Sequence, residues 1–213
     1  MDVKSITATG VIDTFFLLLI GIGPKLALLP FLEVTASLDP KTKAQVQRKM
    51  LTTASVVAVV LVIFGELLRG LLHFSVGSLS IAGGIILLVL AVRMVLGGSG
   101  ATNHQTEGKN PMQLAQTPLA VPYLLNPVGI VALITISAEA QSISTILVEL
   151  AVLGFVLVID FVVFHWANSV SDNLKEDRMV VIEKVFGFLI AAIAIQLVLD
   201  GLVSTGVIGP IKH

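Results

Sequence analysis

Six stretches of this chain, at about residues 10 to 32, 50 to 72, 77 to 97, 114 to 137, 145 to 166 and 180 to 205, stay apolar long enough to cross a bilayer core, which takes about 20 residues of helix. Nothing else in the sequence restricts its fold so strongly. Hydrocarbon offers no partner to a backbone N–H or C=O, so a spanning segment must satisfy these groups itself, as a helix does. The expected fold is all-α: a polytopic membrane protein with six transmembrane helices. Composition agrees, with 55% of residues hydrophobic and 13% charged, where soluble domains carry about 25% charged residues. A net charge of -1 leaves no basic surplus for nucleic acid, and the absence of cysteine removes disulfides, thiol nucleophiles and thiolate metal sites.

Two of the six runs are interrupted. Gly21-Ile22-Gly23-Pro24-Lys25 falls inside the first, and Leu125-Asn126-Pro127-Val128-Gly129 inside the fourth. Proline lacks the backbone donor and crowds the carbonyl four residues back, and glycine costs a helix about 1 kcal/mol. Such breaks persist at membrane depth only where protein or a watery cavity supplies new partners. Helices one and four are therefore expected to be broken in the protein interior, the alternative being kinks that serve packing alone.

The spacing of the breaks adds a second constraint. Pro24 and Pro127 are 127 − 24 = 103 residues apart, and Gly84 and Gly187 are 187 − 84 = 103 apart. At the same offset Ala91, Val95 and Leu96 meet Ala194, Val198 and Leu199, and Thr14 meets Thr117. Segment one thus corresponds to four, and three to six. With three spans in each half, the second half must enter from the opposite side, so residues 1–100 and 114–213 read as two inverted three-helix repeats. The gap from Gly97 to Gln113 is rich in Gly, Ser and Asn, and residues 101–113 within it read as a flexible cytoplasmic linker between the repeats.

Lys and Arg collect on one side. Lys41, Lys43, Arg48, Lys49, Arg93, Lys109, Lys175, Arg178 and Lys184 flank the odd-numbered gaps, against Lys4, Arg69 and Lys212 opposite. Basic residues are retained in the cytoplasm during insertion, which places the odd-numbered loops inside and both termini outside a multi-pass protein of the cell membrane. In the first gap, Asp39-Pro40 is a helix start, and Lys41 to Lys49 are expected to extend the second span into water. Ser75 to Ser80 reads as a short turn.

A broken helix presents free N–H groups and partial positive charge where its second half begins, and free carbonyls where its first half ends. Two such breaks facing each other near mid-bilayer could hold the carboxylate and ammonium of a zwitterion. Paired Gly/Pro breaks in an inverted repeat are the sequence mark of a transporter site. The candidate substrate-binding residues are Gly21, Gly23, Pro24, Lys25, Asn126, Pro127 and Gly129. Ionisable groups inside spans are costly and so are further candidates. Lys25 and Asp160 fall at similar depth and could pair, either as a coupling device in which Asp160 takes a proton or cation, or as a static counter-charge. Asp13, with Glu66 and Arg69, reads as an outer charge cluster and a candidate gate. The four histidines are scattered without metal-ligand spacing, so neither metal nor cofactor is expected. No Ser/His or paired-carboxylate arrangement falls at matching depth, which argues against an enzyme.

Pro24-Lys-Leu-Ala-Leu-Leu-Pro30, Ile81-Ala-Gly-Gly-Ile-Ile-Leu-Leu, Thr117-Pro-Leu-Ala-Val-Pro122 with Asn126-Pro127-Val-Gly129, and GFLIAAIAIQLVLDG from Gly187 to Gly201 together resemble the signature stretches of the MarC family of multi-spanning membrane proteins. The resemblance covers nearly the whole chain in order. It implies transport of small neutral amino acids such as glycine or alanine. Two departures stand out: Gly-Pro and Asn-Pro are swapped between the breaks relative to the family, and Lys25 stands where the family has a small or apolar residue. The reading at this stage is an alternating-access transporter of a small polar solute, proton- or cation-coupled and open to homo-oligomerisation, with a channel or membrane scaffold as the alternative.

Overall fold

The computed structural model describes residues 8–96, 110–140, 142–170 and 176–209, and all of the helices and turns among them pack without a sheet. In chain order the helices are α1 (Ala8–Gly21), α2 (Pro24–Thr35), α3 (Pro40–Leu72), α4 (Val76–Leu96), α5 (Pro111–Leu114), α6 (Ala115–Leu124), α7 (Pro127–Glu139), α8 (Ile143–Val170) and α9 (Glu176–Ser204). Four of them, α3, α4, α8 and α9, are long and apolar enough to cross a membrane. The 14 residues of α1, 12 of α2 and 13 of α7 reach only about 18 to 21 Å each at 1.5 Å per residue, short of a core about 30 Å thick.

Local chemistry explains where the long helices begin. Asp39 caps α3: its carboxylate accepts the Lys41 and Thr42 N–H groups at 3.1 Å and the Thr42 hydroxyl at 2.6 Å, with Pro40 in the first turn. Lys41, Arg48 and Lys49 are exposed as expected, whereas Lys43 and Gln47 turn inward, and Gln47 Nε2 donates to the Phe161 carbonyl at 3.1 Å. The turn expected over Ser75 to Ser80 is shorter, because the Ser75 hydroxyl accepts the Ser78 N–H at 3.0 Å and so starts α4 at Val76. The linker is likewise shortened from its C-terminal side. Asn110 accepts the Met112 N–H at 2.9 Å and caps α5, so residues 111–113 are helical, while residues 97–109 lie outside the described residues. Lys4, Lys109, Lys175 and Lys212 also lie outside them.

The fourth segment is more disrupted than a single break at Asn126-Pro127 would make it. Thr117 and Val121 are extended within α6, each ahead of a proline, as the crowding of a proline ring on the preceding residue requires. The Thr117-Pro118 and Val121-Pro122 peptide bonds are cis.

Two cores hold the helices together. The larger joins α1, α2, α3, α6, α7 and α8 through fully buried side chains such as Leu18, Phe31, Met50, Leu119, Leu133 and Phe164. In the smaller, Leu87, Ala91 and Met94 of α4 meet Ile190 and Ala194 of α9, and Leu26 of α2 and Val128 of α7 close its end. Glycines allow the α4–α9 approach. A Cβ on Gly84 would lie 2.6 Å from Val198 Cγ2 and 2.7 Å from the Ala194 carbonyl, and one on Gly187 would lie 2.7 Å from Val95 Cγ2 and 3.2 Å from the Ala91 carbonyl. Large apolar side chains including Phe16, Leu67, Phe155, Phe161 and Phe188 face outward, as a surface against lipid tails requires.

Candidate functional site where the two breaks cross

Both interrupted segments put their extended residues in the same place. Ile22 and Leu125 pair as antiparallel extended backbone, and the Asn126 N–H donates to the Gly21 carbonyl at 3.1 Å. Each strand-like residue is also tied to its own first half, Ile22 N–H to Leu18 O at 2.6 Å and Leu125 N–H to Ala120 O at 2.9 Å. These backbone groups, released by the breaks, thus find partners in protein, as burial demands. Gly21, Ile22, Gly23 and Leu124 to Gly129 are all buried.

Glycine is required at the crossing for a steric reason. A Cβ on Gly21 would overlap the backbone of Gly129, and one on Gly129 would overlap the Gly21 carbonyl. A Cβ on Gly23 would overlap the Leu19 carbonyl in the last turn of α1.

The two second-half helices start differently. Asn126, 1% exposed, caps α7 by accepting the Gly129 N–H on Oδ1 at 3.1 Å, and its Nδ2 donates back to the Ile20 carbonyl at 3.1 Å. The side chain thereby holds the start of α7 to the end of α1. Gly23 occupies the corresponding place ahead of α2 and has no side chain with which to cap it. Pro24 follows at the first helical position and Lys25 in the first turn, half-buried, its Cε 3.8 Å from where a Cβ on Gly23 would be. The positive end of α2 and an ammonium group therefore sit together beside the crossing. Pro127 is packed against α4, its Cβ 3.5 Å from the position of a Cβ on Gly83.

Of the candidate residues, Gly21, Gly23, Pro24, Lys25, Asn126, Pro127 and Gly129 are thus brought to one crossing, and Asp160 and Asp13 are not. Asp160 is fully buried on α8, in line with Leu153, Val156 and Phe164, and neither carboxyl oxygen has a hydrogen-bond partner. The Lys25–Asp160 pair considered from equal depth is not formed. Depth along a helix leaves direction open: Ala27 and Phe31, in the core with Phe164, point about 200° and 240° round α2 from Lys25. Phe31 and Phe164 meet edge-on with centroids 5.1 Å apart. At the other end of α3, Arg69 grips Glu66 through two bonds of 2.6 and 2.7 Å, while Asp13 stands exposed on α1 outside that pair. Sequence reasoning missed Ile22, Leu125 and the Ile20 carbonyl as parts of the crossing. The repeat spacing carried the signal, since 125 − 22 is again 103. Among the described residues no group of three or more His, Asp or Glu is placed to hold a metal ion.

Comparison with known proteins places this arrangement in a family. The model for the MarC family of integral membrane proteins matches residues 9–205. A UPF0056 membrane protein of Methanocaldococcus jannaschii is 31% identical over 176 residues, covering 81% of this chain and 85% of that one. The UPF0056 inner membrane protein YhgN of Escherichia coli is 28% identical over 187 residues, covering 87% and 92%. The UPF0056 membrane protein YvbG of Bacillus subtilis is 23% identical over 177 residues, covering 81% and 84%. No solved structure matches the chain significantly. With its family match running from the first interrupted segment to the end of α9, the chain belongs to the MarC family of integral membrane proteins.

Proposed function

We propose that this protein is a transporter of small neutral amino acids working by alternating access around the crossing of its two broken helices. The antiparallel pairing of Ile22 with Leu125, with α2 and α7 both starting there, is the observation that carries the reading. Six spans are counted by taking α1 with α2, and α6 with α7, as two interrupted crossings beside α3, α4, α8 and α9. An inverted repeat accounts for the contacts across the halves: Gly84 meets Ala194 and Val198, and Gly187 meets Ala91 and Val95, the same residues 103 positions on. A two-fold relation makes residue i touch j′ where j touches i′.

The difference between the breaks assigns the ends of the substrate. Asn126 already occupies the start of α7, whereas α2 begins at Gly23 without a side-chain cap and next to Lys25. The substrate carboxylate binds at the start of α2, where N–H groups, helix dipole and Lys25 all favour an anion. Its ammonium group turns toward carbonyls in the last turn of α1. Because α4 and α9 belong to different halves and pack together along their lengths, the moving bodies mix helices from both halves. The name of the Escherichia coli relative supports the cell membrane as location, and the exposed Lys41, Arg48, Lys49 and Arg93 support cytoplasmic odd-numbered loops with both termini outside.

Uptake of radiolabelled alanine into proteoliposomes tests the proposal. Saturable uptake that Lys25→Met weakens at least tenfold in apparent affinity is expected. Non-saturating flux would make the protein a channel, no flux a scaffold, and unchanged affinity in a folded Lys25→Met protein would remove Lys25 from the site.

A further inference from the structure

Asp160 is the one fully buried carboxyl among the described residues with both oxygens unpartnered. It lies within the apolar span of α8 that runs from Ile143 to Ala167, two turns short of its C-terminal end (167 − 160 = 7), and its neighbours along the buried face, Leu153, Val156 and Phe164, are all apolar. α8 packs against α1, α2 and α3. The ionisable groups on these elements include Asp13 on α1, Lys25 and Glu33 on α2 and Lys43 on α3, with Glu149 and His165 on α8 itself, and Asp160 has no hydrogen bond to any of them. Gln47 of α3 reaches the same helix but donates to the Phe161 carbonyl, one residue away.

An ionised carboxylate so placed carries a desolvation penalty that its neutral acid avoids. A metal cation bound there would need several further oxygen ligands, and a proton needs the carboxyl alone. Packing does not call for an acid at this position. The repeat offset gives 160 − 103 = 57, and Val57 sits against the core on α3 with an apolar side chain.

We infer that Asp160 is a proton-carrying site, separate from the helix crossing, that loads and releases one proton as α8 changes its surroundings during each transport cycle. The inference rests on the transport reading for its role in coupling, but the existence of the site does not. The expected coupling is one proton per substrate, which moves one positive charge and, with the membrane potential held at zero, limits accumulation to about tenfold per unit of pH gradient.

Two measurements on the full chain in liposomes test this. In infrared spectra at neutral pH, the wild type should show a protonated-carboxyl C=O band that Asp160→Asn lacks; identical spectra would overturn the site. In uptake with the membrane potential held at zero, a one-unit gradient, acid outside, should raise wild-type alanine accumulation about tenfold and leave Asp160→Asn and Asp160→Val, each checked for folding by size-exclusion chromatography, near the level without a gradient. Full gradient-driven accumulation in folded variants would overturn the coupling role. If the wild type carries no alanine, the transport reading fails while the infrared comparison still decides whether Asp160 holds a proton.

Discussion

Replacing Gly21 with alanine adds a single methyl group at the point where the two broken segments touch. That methyl would overlap Gly129 Cα, a backbone atom with no rotamer to change, so the segments must move apart. Separation strains or breaks the Asn126 N–H to Gly21 carbonyl bond and the Asn126 Nδ2 to Ile20 carbonyl bond, each 3.1 Å long. At about 1 kcal/mol per bond and about 1 to 3 kcal/mol for overpacking, the loss should be about 3 to 5 kcal/mol. For a chain of this size each kcal/mol moves the unfolding midpoint by about 2 to 4 °C, so a drop on the order of 10 °C is expected. The assay is the fraction of detergent-solubilised protein that remains monodisperse after stepped heating. Gly154→Ala is the control, because nothing lies within 4 Å of a Cβ there, and the change should be within about 1 kcal/mol of neutral. Gly129→Ala should match Gly21→Ala, and the double variant should cost less than the sum, since either methyl alone opens the contact. If Gly21→Ala were as stable as Gly154→Ala, the crossing would not be the close backbone contact described.

Two further outcomes follow from other parts of the fold. Gly84→Ala and Gly187→Ala should each lower stability by about 1 to 3 kcal/mol, because each methyl meets a valine and a carbonyl of the opposite helix; a large loss in one with none in the other, by the same heating assay, would contradict the reciprocal contacts. The Thr42 hydroxyl and N–H, with the Lys41 N–H behind them, hold the Asp39 carboxyl below its usual range. A depressed carboxyl stabilises the folded form above the unfolded pKa and loses that contribution as pH falls through the folded value, so amide-exchange protection over residues 40–49 should drop below about pH 4. Asp39→Ala should show weaker protection at neutral pH and no further acid step; a similar acid step in the variant would assign it to another group.

Much of the helix inventory is legible from hydropathy and capping residues, because both act locally. Asp39-Pro40 starts α3 where the sequence places a helix start, and α4, α8 and α9 follow their apolar runs to within a few residues. The misreadings are local too. Ser75 proved to be a cap, which shortened a turn, and Pro118 and Pro122 spread the fourth-segment break over α6. The candidate site was legible as a set of residues and not as a geometry. Gly21, Asn126 and Gly129 are conspicuous because glycine and Asn-Pro are costly within an apolar helix, yet Ile22 and Leu125, which pair at the centre, are ordinary apolar residues. Lys25 and Asp160 show the limit most clearly, since similar depth suggested a pair and the turn of α2 directs them apart.

Residence in a membrane, helical structure throughout and the positions of the breaks were decided by the sequence alone. Hydrocarbon admits few backbone solutions, and an apolar run with a proline in it narrows them further. What the breaks face, which helix start is left uncapped, and that a buried carboxyl stands without a partner were decided only by tertiary structure. Those properties depend on the rotation of each helix about its axis, and that rotation is set by side chains from distant segments packing against one another.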